Sequence, residues 1–430
     1  MRPMPNTVVV AGAILLAWAA AGGADKDAKP AEAGFEYQGL VPRQDVEAGE
    51  RQASEAAALS GLSSEQRAAA LNNRAFWRFF QARYDEALTD LDEAINLDGQ
   101  SAYYANRGIM RRMLGDWDKA RADYDKALKI DPNNAYAHNN LGWLTLREAQ
   151  KLAPGKERSE KVQQAQKHFR NAIDCQTDDK LSQPLAQVNL AAACLADGEL
   201  EAARQSLTAA RGAPKVFPWA QQCALLNQGE LARCDGDWQQ ALDAYQKAYE
   251  RGRARYLPPP SSKLEKAPWD EADENPWILQ RLGAAQLVLG RYDEAQKNLS
   301  TAAEKFGPQR VAGRYASLLA ALANAHRNNR KAIYVERSEG KPKRWVDAVE
   351  LYLAGRLSER ALASAARDDD PKARQGKECE MAYYVGQKKL LEGKAQEARE
   401  SFRQCVRLSE PRRLERTMAA HELQDKAKTD

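Results

Sequence analysis

Only six of the 430 residues are cysteine and four are histidine, and none falls in a CxxC pair or an HExxH run. The usual sequence basis for a zinc or thioredoxin-like site is therefore missing, and no metal or cofactor is expected. GxSxG and P-loop patterns are absent as well, so no catalytic residue is assigned. An excess of one charge is also lacking: 64 Lys and Arg against 60 Asp and Glu leave a formal +4. The basic residues do not interleave with aromatics, which argues against a nucleic-acid surface. The longest apolar run, Val8–Ala21, is too short for a stable membrane anchor.

That run has its own meaning. Met1-Arg2 precedes it and Gly22-Gly23-Ala24 follows, the layout of an export signal cut near Ala24. The mature chain is expected to be exported, periplasmic or extracellular. No cysteine follows the run, the first being Cys175, so no lipid anchor is expected.

What the chain has in abundance is a repeated set of small residues. The sets are Ala75/Ala87/Leu91/Ala94, Gly108/Ala120/Tyr124/Ala127, Gly142/Ala165/Phe169/Ala172, Ala191/Ala203/Leu207/Ala210, Gly229/Ala241/Tyr245/Ala248, Gly283/Ala295/Leu299/Ala302 and Gly386/Ala398/Phe402/Cys405. The first two members lie twelve positions apart in all but the third set, which carries an insertion of eleven. A period of about 34 residues means stacked helical hairpins. Glycine within a helix costs about 1 kcal/mol against alanine, and close approach of the paired helices is the reason to bear it. Gly115, Gly198, Gly236, Gly290 and Gly393 supply the left-handed turn that ends each first helix.

The unit Tyr104, Gly108, Leu114-Gly115, Trp117, Ala120, Tyr124, Ala127, Asp131-Pro132 resembles the tetratricopeptide repeat. That resemblance implies an all-α fold, a right-handed α-solenoid of stacked antiparallel helix-turn-helix hairpins whose first helices line a concave groove. The chain then divides into a signal peptide (1–24), a leader and capping segment (25–60) and an array of six recognisable repeats (61–308). Degenerate helical repeats (309–378), a C-terminal repeat (379–410) and a capping helix with a polar tail (411–430) follow. Leu62–Trp143, and the run Trp345–Gly355 followed after a short helix by Cys379–Gly386, further resemble the bacterial periplasmic NlpI-type repeat proteins, implying an exported adaptor that docks cell-envelope enzymes. The longer middle, Glu148–Lys305, departs from that group.

A column of asparagines stands two positions before the mid-helix small residue in five consecutive repeats: Asn73, Asn106, Asn140, Asn189 and Asn227. Asparagine is a poor helix-interior residue, and its amide can either pair with a peptide backbone in the groove or bond to the neighbouring repeat. Phe76, Tyr136 and Trp143, with Arg112, Arg147 and Arg233, are expected on the same face as aromatic and cationic binding surface. Hairpin geometry brings Cys379 near Cys405, a candidate disulfide. The expected role is a non-catalytic scaffold or adaptor binding a protein or peptide. The alternatives are a homodimer formed through terminal helices such as Trp345–Ala366, or a hydrolase using His138 or His168 with a nearby carboxylate.

Overall fold

The computed structural model describes residues 43–81, 83–152, 155–175, 182–211, 218–252, 275–307, 309–330, 333, 342–409 and 413–425. The signal segment, the leader up to residue 42 and nearly all of the Leu257–Asn275 insertion lie outside the described residues. Every regular element among those described is an α-helix.

Helix α1 (Arg43–Ala58) precedes a series of hairpins. These pair α2 (Ser64–Phe80) with α3 (Tyr84–Leu97), α4 (Ser101–Met113) with α5 (Trp117–Ile130), and α6 (Ala135–Lys151) with α7 (Lys156–Asp174). They continue with α8 (Ser182–Asp197) and α9 (Leu200–Arg211), α10 (Pro218–Asp235) and α11 (Trp238–Gly252), and α12 (Pro276–Val288) and α13 (Tyr292–Phe306). Helix α14 (Val311–Arg327) packs on α13. A shorter pair, α15 (Trp345–Leu353) and α16 (Glu359–Ala365), leads to α17 (Pro371–Leu391) with α18 (Ala395–Leu408), and α19 (Leu414–Asp425) ends the series. The fold is an all-α solenoid.

The helix ends follow from local chemistry. The Ser63 hydroxyl accepts from the Gln66 backbone N–H (3.2 Å), and the Gln66 side-chain oxygen accepts from the Ser63 N–H (2.9 Å), closing a capping box at α2. Asn275 and Asp370 cap α12 and α17, each followed by a proline whose missing N–H costs nothing at a helix start. Gly115 and Gly236, at φ +83° and +84°, make the turns between paired helices, and no neighbour crowds them. Conformation alone selects glycine there.

Mid-helix glycines obey a different constraint. A Cβ built on Gly108 would lie 2.6 Å from the Tyr124 ring, and one on Gly142 would lie 2.7 Å from the Phe169 ring. The ring of the second helix occupies the space that a side chain on the first would need. Ala120, Ala127, Ala165 and Ala172 complete these seams and are fully buried. Each hairpin then shares its apolar residues with the next, giving one core from Ala57 to Leu231 and a second from Leu226 to Ala419.

Charge reinforces the first two hairpins. Asp90, 1% exposed, is held by Arg74 and Arg78 from the facing helix, and Asp123 by Arg107 and Arg111 in the same register. Further along, the corresponding positions carry a neutral bond from Asn298 to Gln286 (2.8 Å).

Overpacking a well-filled core costs about 1–3 kcal/mol, so Gly108→Ala is expected to destabilise despite alanine's better helix propensity. Denaturant unfolding of the two proteins checks this. An unchanged midpoint would mean that the Tyr124 ring is free to move away.

Candidate partner-binding face

The first helices of the hairpins stand side by side: α4 contacts α6, α6 contacts α8, and α8 contacts α10. Amide hydrogen bonds tie this wall together. Asn106 Nδ2 donates to Asn72 Oδ1 (2.8 Å), joining α4 to α2, and Asn189 Nδ2 donates to Asn139 Oδ1 (2.9 Å), joining α8 to α6. Asn227 Nδ2 donates to the Val188 carbonyl (3.0 Å), joining α10 to α8. Asn140 Nδ2 turns back to the Tyr136 carbonyl within α6 (2.9 Å). These four asparagines are buried and Asn73 is half-buried; the Oδ1 atoms of Asn73, Asn106 and Asn140 have no hydrogen-bond partner among the described residues. Asn72 and Asn139, one position before members of the column, are the acceptors that sequence reasoning missed. Their burial on both sides of a helix carries no periodic signal.

The aromatic and cationic residues sit deeper than expected. Phe76, Tyr136 and Trp143 are buried in the wall, so the expectation of an open aromatic surface is corrected: α6 has neighbours on nearly every side. Trp143 stacks on Trp117 at 5.8 Å, Arg112 lies 4.6 Å over Trp143, and Arg147 lies 3.7 Å over Trp117. Arg112 is 2% exposed and bonded to no carboxylate among the described residues, and burial pulls its pKa down. The Trp143 ring face supplies the compensating attraction. Arg147 is the half-buried cation of the four-membered stack, and so the one that meets solvent.

Arg233, also expected on the open face, is 3% exposed and structural in its contacts. Its Nη2 donates to Glu230 (2.8 Å) and its Nη1 to the Thr417 hydroxyl (3.0 Å), 184 positions away. Burial pushes the Glu230 carboxyl up, but Arg233 and Arg281 outweigh it and hold the carboxylate well below its usual range. The Tyr245 hydroxyl donates to it as well (2.8 Å).

Thr417 belongs to α19, which does more than cover the final hairpin. It packs on α18 and α17 and reaches back to α12 and α10, lying across the second half of the wall. Leu414, Met418 and Ala419 are buried there. Arg413 Nη1 donates to Glu380 on α17 (3.3 Å), and Gln387 Nε2 donates to Glu422 (2.9 Å). Glu380 also accepts from the Tyr315 hydroxyl (2.6 Å) and the Trp345 indole N–H (2.7 Å). Glu415 is buried nearby, and burial followed by the Glu380 charge raises its pKa.

The remaining candidates are placed as follows. Cys379 and Cys405 face each other with Sγ atoms 2.8 Å apart, both buried as free thiols. The neighbouring sulfur and burial keep the Cys405 thiol protonated. His138 and His168 have ring centroids 5.8 Å apart, and burial lowers both, His168 to about 4. The ring nitrogen of His138 pairs with the Pro132 carbonyl (3.0 Å). Among the described residues no group of three or more His, Cys, Asp or Glu side chains is arranged to hold a metal ion. No helix among them is long and apolar enough to cross a membrane.

Two family models match: a TPR repeat over residues 108–145 and a tetratricopeptide repeat over 151–216. No curated protein matches the sequence. Similar solved structures include PilW, described as a widely conserved type IV pilus biogenesis factor. It is 18% identical, with 56% of this chain and 94% of that one covered and a TM-score of 0.40. Pseudomonas aeruginosa PilF is 14% identical, covering 59% and 97%, at 0.42. A tetratricopeptide repeat protein from Parabacteroides merdae is 15% identical, covering 64% and 93%, at 0.40.

A raised carboxyl pKa gives stability that is complete at low pH and lost as pH rises through the folded value. The thermal stability of the wild type is therefore expected to fall, relative to Glu415→Gln, as pH climbs above the ordinary carboxylate range. The substitution removes this one contribution while Glu380, Arg413 and the tyrosines around it stay. Parallel curves for the two proteins would show that Glu415 does not titrate in contact with Glu380.

Proposed function

Given that this chain is a tetratricopeptide-repeat protein, we propose that it is an exported, non-catalytic scaffold that binds a protein or peptide on the inner wall of its first helices, in a bacterial cell-envelope assembly. The observation that carries this reading is the set of buried amide bonds that joins α2 to α4, α6 to α8 and α8 to α10. A wall fixed in this way presents a preorganised surface, and preorganisation lowers the entropic cost of binding. Asn73 and Arg147 are the solvent-reaching members of the candidate set, with Trp117 beside Arg147. Asn106, Asn140, Asn189 and Asn227, with the buried aromatics, hold the wall in shape. The apolar Val8–Ala21 segment supports export, and the resemblance to NlpI-type proteins supports an envelope role.

Capture from an envelope extract tests the wall directly. The wild-type mature chain is expected to retain a defined partner that an Asn73→Ala/Arg147→Glu variant of unchanged melting temperature loses. Equal capture by both would remove this face from the binding role.

Export makes a second prediction. Chain purified from the periplasm should begin just after Ala24 and carry a Cys379–Cys405 disulfide, formed as each thiol yields a proton and an electron to a dithiol oxidase of that compartment. Intact mass and non-reducing peptide mapping check both. A retained N-terminus would contradict export with cleavage, and free thiols at 379 and 405 would contradict the pairing.

A further inference from the structure

Four positions after the mid-helix small residue, the repeat sets carry Phe79, Leu146, Leu195, Leu287 and Leu390, all apolar. The other two sets carry arginine there, Arg112 and Arg233. These are the two fully buried arginines among the described residues, at 2% and 3% exposure. Arg233 has its carboxylate, Glu230, at 2.8 Å. Less buried arginines on the first helices have theirs too: Arg74 and Arg78 hold Asp90, and Arg107 and Arg111 hold Asp123. Arg112 is paired with no carboxylate among the described residues, and its Nε and Nη2 are buried without a hydrogen-bond partner.

The unpaired atoms gathered here can all donate. Trp143 Nε1 and the Tyr124 hydroxyl are buried without a partner, as are the two nitrogens of Arg112. The Trp143 face, 4.6 Å from the Arg112 guanidinium, offsets part of the cost of burial but neutralises no charge. Arg147, lying 3.7 Å over Trp117, is a second cation paired with no carboxylate among the described residues. The two charges feel each other. Burial first, and the Arg147 charge with it, pull the Arg112 pKa down against the opposing effect of Tyr124. Arg147 and Trp117 are half-buried and meet solvent, whereas Arg112 and Trp143 are enclosed.

A buried cation without a counter-charge is strongly unfavourable, and leucine at this register carries no such cost. Water can accept from these donors but brings no negative charge. A carboxylate only accepts, carries the missing charge and matches the forked donors of a guanidinium. We propose that Arg147 and Arg112 form a receiving site for a carboxylate of the bound polypeptide, either an Asp or Glu side chain or the chain's C-terminus. Arg147 pairs with it where the site meets solvent. Arg112 attracts it from within the wall, where the low dielectric preserves the field of an uncompensated charge. The face of Trp117 packs against the chain beside it. This rests on the reading that the inner wall binds polypeptide, and it names the group that the wall recognises.

The test uses the mature chain and three rhodamine-labelled pools of randomised decapeptides from which other acidic residues are omitted. One pool has a fixed central Glu and an amidated C-terminus, the second a central Gln and an amidated C-terminus, and the third a central Gln and a free C-terminal carboxylate. By anisotropy, the wild type is expected to bind one of the two carboxylate pools about tenfold more tightly than the neutral pool. Which pool it prefers identifies the source of the carboxylate. Arg147→Gln should abolish the preference, while Lys129→Gln, which removes an exposed charge at the far end of α5, should keep it. Arg112→Leu should reduce the preference about threefold and yet melt above the wild type, a combination that a merely structural arginine would not give. Equal binding of the three pools to the wild type overturns the proposal and leaves the scaffold reading standing. A preference that survives Arg147→Gln overturns it, as does an Arg112→Leu chain that melts lower, fails to fold or keeps the full preference. Absence of binding by every pool also overturns it, and the scaffold reading is then decided separately by capture from the envelope extract.

Discussion

The structure depends on how closely two helices approach where a small residue on one meets a ring or leucine on the other. At Gly108 and Gly142 the ring of the partner helix fills the space a Cβ would take. Alanines fill out the same seams with full burial. A side chain added there must displace an aromatic ring, so the spacing is set by sterics rather than by average hydrophobicity. Repetition of this contact gives hairpins of nearly one thickness, and hairpins of one thickness stack.

Stacking then decides what the wall of first helices can be. Because the helices stand in a fixed order, an amide on one reaches an acceptor on the next, as Asn106 does with Asn72 and Asn189 with Asn139. A buried amide without a partner costs about 1–3 kcal/mol, so these bonds help to fix the alignment of neighbouring units. Arg74 and Arg78 on Asp90, and Arg107 and Arg111 on Asp123, hold each of the first two hairpins internally. The wall has two distinct stretches. The first carries the Arg112–Trp143–Trp117–Arg147 stack, and the second lies beneath α19.

Much of the architecture was legible in the sequence because it is periodic. The small-residue sets located the hairpin seams, and the turn glycines located the breaks. The facing of Cys379 and Cys405 followed from the same geometry. The site was less legible, for two physical reasons. Whether a side chain on a first helix is exposed depends on what the neighbouring units place against it, and α6 proved enclosed, so Trp143 and Tyr136 are buried. The return of α19 to Arg233 spans 184 positions and repeats nowhere. Leu414–Asp425 has almost no one-sided apolar pattern, and no local pattern announces which surface it meets.

The central claim is that adjacent hairpins form one body whose second stretch of inner wall is covered by α19. Gln239 at the start of α11 and Gln424 near the end of α19 are both exposed and can carry nitroxide labels introduced as unnatural amino acids. Pulsed dipolar spectroscopy on the full chain should give one narrow distance distribution, matching that between the two sites with α19 seated against α10. A broad distribution extending to long distances would show α19 detached and would contradict the account.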